Sequence, residues 1–110
     1  MKKKIMLPEK EGVDYFFGII ANIKKGPHGF FAVIDFDGKY SDIFSEKDNV
    51  TASVERPTWL NDDEEAVEGM GVVIWKVGRR RQGWRAGCIC KHTPNWRKEC
   101  LRILQKRRQK

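Results

Sequence analysis

The chain has 110 residues, the size of one ordinary domain, with 40% apolar and 34% charged side chains and a formal net charge of +7. That balance excludes a wholly disordered chain, a collagen-like chain and a coiled coil. The longest apolar runs, residues 16–21 and 30–34, fall far short of the ~20 residues that a membrane span needs.

Residues 1–13 have no periodicity and contain Pro8 and Gly12, so a flexible basic arm is expected there. Its Lys2-Lys3-Lys4 start is followed by only three apolar residues before Pro8, too few for a secretory signal. Residues 15–23, rich in aromatic and β-branched side chains, predict a first strand. The Gly and Pro content of residues 24–29 predicts a turn. Residues 30–36 predict a second strand, Asp37-Gly38 a hairpin turn, and residues 40–45 a third strand. Residues 46–68 are acidic and broken by Pro57, which predicts a long loop. Trp59 within it is expected to pack on the body of the protein. Residues 70–77 and 84–91 predict two more strands around a turn at 78–83. Thr93 and Pro94 then offer a helix start, and Trp96, Cys100, Leu101 and Leu104 recur at helical spacing, so residues 93–110 predict a basic amphipathic helix.

Five short strands within residues 14–92 predict a mainly β fold, a small antiparallel barrel, because closure removes exposed sheet edges. Along the second strand Phe30, Ala32, Ile34 and Phe36 share one face, and Phe31, Val33 and Asp35 the other. Both faces are apolar, although a barrel interior needs only one. The outer aromatic is either covered by another element or available for stacking.

Charge is segregated along the chain. Residues 35–69 hold three basic and eleven acidic side chains, while residues 91–110 hold eight basic and one acidic. A basic end suits a polyanionic partner, although it also serves solubility.

Five segments carry a family resemblance. They are Gly18-Ile19-Ile20-Ala21-Asn22-Ile23, His28-Gly29-Phe30-Phe31-Ala32-Val33, Asp42-Ile43-Phe44-Ser45-Glu46 with Val50, Val73-Ile74-Trp75-Lys76-Val77, and Gly83-Trp84-Arg85-Ala86-Gly87-Cys88-Ile89. In this order, residues 15–91 resemble the cold-shock domain, an OB-type nucleic-acid-binding barrel. Its motifs read K-G-F-G-F-I, D-V-F-V-H, V-x-F-x-V and G-P-Q-A-x-N-V. The resemblance implies a platform on which Phe30 and Phe44 stack bases. The chain departs from the family at Asn22, Ala32 and Glu46, where the family has two aromatic residues and a histidine. Lys24, Lys25 and His28 on one turn, and Arg79, Arg80, Arg81, Trp84 and Arg85 around another, would flank the groove. Cations track phosphates there while rings stack on bases. Arg97 and Arg102 of the helix would add phosphate contacts.

No catalytic constellation or phosphate-binding Gly-rich loop is present in the sequence. Cys88, Cys90, His92 and Cys100 are potential ligands, but their spacing is not that of a zinc knuckle or ribbon, so no metal or other cofactor is expected. Three cysteines, an odd number, suit a reducing compartment. The expectation is a soluble cytoplasmic protein, not an enzyme, that binds single-stranded RNA in preference to ssDNA. The alternative is a protein-interaction module that uses the acidic segment or the helix's apolar stripe, within a ribonucleoprotein.

Overall fold

The computed structural model describes residues 4–81 and 83–109. Lys2 and Lys3 of the expected arm, Gln82 of the last turn and Lys110 of the helix lie outside the described residues. Five strands, β1 (Tyr15–Gly26), β2 (Gly29–Asp35), β3 (Val50–Ser53), β4 (Gly71–Arg80) and β5 (Gly83–Lys91), precede one helix, α1 (Trp96–Arg108). The strands close into a barrel in the order β1-β2-β3-β5-β4, an arrangement compatible with an OB-type barrel. The barrel is mixed, not purely antiparallel, because β3 and β5 pair in parallel. An odd number of alternating strands cannot close into a ring without one parallel seam. Among the described residues, no helix is long and apolar enough to cross a membrane.

The third strand lies elsewhere than expected. Residues 40–45 form turns, and β3 falls inside the stretch expected to be loop. Asp37, Gly38 and Tyr40 all have positive φ, so the chain coils after β2 instead of folding into a hairpin. The Ile43 and Phe44 N–H groups both donate to the Tyr40 carbonyl at 2.9 Å. The Tyr40 ring packs edge-on against Phe16 and Phe36. Its hydroxyl accepts from the Phe17 N–H and donates to Glu11. Strand β3 has only four residues, too few to show a clear alternation in the sequence.

Inside the barrel, Ile20, Ile34, Val50, Val72, Ile74 and Ile89 surround Ala32, Ala52 and Ala86. The register sets Ala32 opposite Ala52, and Ala52 opposite Ala86. Three small side chains in one row let the walls approach closely. Phe36 and Phe44 stack at 5.0 Å, with Phe16 against both. Trp59 is buried against the barrel, and its indole N–H donates to the Asn61 and Glu64 carbonyls.

A second apolar cluster lies outside the barrel, under α1. Lys76 has φ +55°, and across from it Gly87 lies against the Lys76 backbone and side chain. Alternation reverses there: Trp75 and Cys88 join the outer cluster, while Val77 and Ala86 belong to the inner one. Val73, Trp75 and Cys90 from the barrel wall meet Trp96 and Cys100 of the helix. Trp96 is 6% exposed and lies 5.1 Å from the Tyr15 ring and 5.9 Å from Trp75. This burial holds a helix too short and too charged to persist alone.

The helix begins at Trp96, later than the Thr93 start expected from the sequence, and Asn95 caps it without a side-chain bond. The His92 N–H still donates to the Gly71 carbonyl, so the chain needs residues 93–95 to leave the barrel. Thr93 instead donates its hydroxyl proton to Glu99. Part of the expected arm is likewise fastened down. Leu7 packs on the outer cluster, and the Pro8 carbonyl accepts from Arg97 at 2.6 Å.

Candidate functional site

With α1 covering the wall made by β4, the start of β1 and the end of β5, one outer wall of the barrel stays open. The register lays two rows of side chains across it. Asn22, Val33, Thr51 and Arg85 form one row, and Lys24, Phe31 and Ser53 the other. The end of β4 adds Arg80, and the turn after it Arg81. Together Lys24, Phe31, Val33, Asn49, Thr51, Arg80, Arg81, Trp84 and Arg85 line a groove of about 600 Å³. Among the described residues, four cations and an aromatic floor meet there, with no carboxylate in the lining. Phe31 is half-buried because its ring lies against Gly26, where a larger residue would displace it.

One edge of the groove is held rigid by Asp48. Its carboxylate accepts from the Trp84 indole N–H at 3.2 Å and from Arg79 at 3.1 Å. The Arg79 guanidinium also sits 5.1 Å from the centre of the Trp84 ring. The Trp84 hydrogen bond, helped by Arg79, holds the Asp48 carboxyl below its ordinary range and outweighs the opposing effect of burial. Arg79 therefore braces Trp84 and stands beside the groove, outside its lining.

The expected site residues divide accordingly. Lys24, Arg80, Arg81, Trp84 and Arg85 come together in the groove. Lys25 and His28 are exposed near the β1–β2 turn, and neither lines the groove.

Phe44 requires a correction, since it is 7% exposed and packs on Phe16, Phe36 and Trp84. It is a core residue, not a stacking platform, because the coiled segment after β2 turns it into the barrel. Phe30 is 49% exposed but lies on a different surface, beside Glu55, Asp63 and Glu65. Ala32 faces the barrel interior, so it leaves no gap in an outer platform.

On the helix, Arg97 lies over the Tyr15 and Trp96 rings, and Arg102 lines the cleft between α1 and the acidic loop. Arg107, near the end of the helix, turns inward. It donates to the Pro57 and Trp59 carbonyls and to Asp62.

The sequence reading missed Phe31, Val33, Asn49 and Thr51 as groove residues. The signal was the alternation in β2, which already set Phe31 and Val33 on the face opposite Ala32 and Ile34.

The surroundings of Cys88 and Cys90 disfavour their thiolates. Burial pushes Cys88 up, and a hydrogen bond with Cys100 together with burial pushes Cys90 up further. Among the described residues, no three His, Cys, Asp or Glu side chains are placed to hold a metal ion. No family model, curated protein or solved structure matches this chain.

Proposed function

We propose that the chain is a non-catalytic single-strand nucleic-acid-binding module, a divergent relative of the cold-shock barrel, with RNA preferred over ssDNA. The observation that carries this reading is the open groove, where Lys24, Arg80, Arg81 and Arg85 surround Phe31 and Trp84. In that role the four cations neutralise successive phosphates while Phe31 offers a ring face to a base. Trp84, tied to Asp48 and covered by Arg79, holds the edge of the groove and contributes its remaining surface. Thr51 and Asn49 supply hydrogen-bonding groups beside the stacked base.

The test is fluorescence anisotropy with a labelled pyrimidine-rich RNA hexamer and its DNA counterpart over a salt series. Four neutralised phosphates give a log–log slope of about −3, from roughly −0.7 per phosphate on a single strand. Phe31→Ala is expected to weaken binding by about 1–3 kcal/mol. Absence of oligonucleotide binding at low salt, or binding indifferent to Phe31, Arg81 and Arg85, overturns the reading.

A further inference from the structure

A second groove runs from the β1–β2 hairpin to the acidic loop, and its character is opposite to the first. Its apolar surface is Ile23, Phe30, Val54 and Ala66, with Trp59 beneath. Phe30 is 49% exposed, the only aromatic among the large exposed hydrophobics of the described residues. Above this surface stand Glu55, Asp63 and Glu65. None of the three forms a salt bridge among the described residues, whereas Asp62 is paired with Arg56 and Arg107, and Glu64 with Lys91. Among the described residues, Arg56 is the only cation in the groove lining, and it already faces Asp62.

The position of Phe30 is set by the fold. Its N–H donates to Glu55 at 2.7 Å, which ties the hairpin to the chain just after β3. The same carboxylate occupies the space beside Gly29. An aromatic ring is thus held at the rim of a groove whose unpaired charge is entirely negative.

From this juxtaposition we infer a second binding surface, which takes a basic segment of a partner protein. Lysine or arginine side chains of that segment meet Glu55, Asp63 and Glu65, and an aliphatic side chain between them rests on Phe30. Charge complementarity favours such a partner and excludes a nucleic acid, whose phosphates the same carboxylates repel. The surface does not depend on the nucleic-acid reading, because the two grooves share no lining residue.

The experiment uses the full chain and a fluorescein-labelled nonapeptide, (Lys-Leu-Arg)₃, followed by anisotropy at 50 mM and 300 mM salt. The leucine-free peptide (Lys-Ser-Arg)₃ is the comparison. Saturable binding at low salt is expected, weaker for the serine peptide. Asp63→Lys with Glu65→Lys is expected to reduce affinity about tenfold or more, an effect that shrinks at high salt. Phe30→Ser is expected to reduce it about fivefold, as loss of an exposed anchor does. Both variants alter exposed side chains, and unfolding curves matching the parent show that the fold is intact. RNA-hexamer binding by both variants is expected to be undiminished.

Peptide binding that survives both variants overturns the inference. So does loss of peptide binding on Arg81→Glu instead, or loss of hexamer binding on Phe30→Ser. Sedimentation that shows a dimer dissociated by Asp63→Lys with Glu65→Lys would assign the groove to a second copy and likewise overturn it.

Discussion

The Glu55 carboxylate fills the space that a side chain on Gly29 would need, while accepting the N–H of the next residue, Phe30, at 2.7 Å. Gly29 also has φ +114°, a region that L side chains rarely adopt. Gly29→Ala is therefore expected to strain the backbone and displace Glu55, costing about 1–3 kcal/mol in urea unfolding. Gly38→Ala is the comparison. It has φ +80° and open space around it, so it carries the backbone strain without the clash. Equal losses at the two positions would show that Glu55 yields freely.

Phe44 and Phe31 separate stability from binding. Phe44→Ala leaves a cavity among Phe16, Phe36 and Trp84 and is expected to cost about 3–5 kcal/mol of stability. Phe31→Ala is expected to change stability far less and to act mainly on the oligonucleotide Kd. Paired urea melts and anisotropy titrations check both, and a stable Phe44→Ala protein with impaired binding would contradict the burial argument.

Ala32→Phe writes the family's second aromatic into this chain. Because Ala32 is fully buried and faces Ala52 across the strand pair, the added ring is expected to overpack the barrel. The expected loss is about 1–3 kcal/mol, with no gain in oligonucleotide affinity. Improved binding at unchanged stability would show that position 32 faces outward.

Asp48 gives the groove a dependence on pH. Its carboxyl is depressed by the Trp84 N–H and by Arg79, so the stability it contributes is present above the unfolded value of 3.8. That contribution is lost as pH falls through the lower folded value. The Trp84 indole N–H resonance is expected to shift with a midpoint below pH 3.8. A shift centred above pH 3.8 would rule out the charged Asp48–Trp84 bond. Asp48→Ala is expected to reproduce the low-pH position at neutral pH.

Trp96 carries the helix. With its ring against Tyr15, Trp75 and Phe17, Trp96→Ala is expected to cost about 3–5 kcal/mol and to loosen α1. Far-ultraviolet circular dichroism and thermal melts read the two effects. A helix signal that survives Trp96→Ala unchanged would show that the remaining stripe of Cys100, Ile103 and Leu104 suffices.

Local chemistry was enough to place four strands and the helix. Aromatic and β-branched runs bounded by Gly and Pro mark β1, β2, β4 and β5, and Trp96, Cys100 and Leu104 at helical spacing mark α1. Alternation in β2 also separates Phe31 and Val33 from Ala32 and Ile34. Tertiary structure decided the rest. Asp37-Gly38 promises a hairpin by composition, but Tyr40 finds Phe16, Phe36 and the Phe17 N–H, and those distant partners coil the segment instead. Four-residue β3 is specified by its neighbours β2 and β5, not by its own pattern. The two grooves arise in the same way. Arg85 is far in the chain from Lys24 and Phe31, and Glu65 is far from Phe30. Only barrel closure and strand register bring each set together, because a residue's face depends on which strands it pairs with and where alternation reverses.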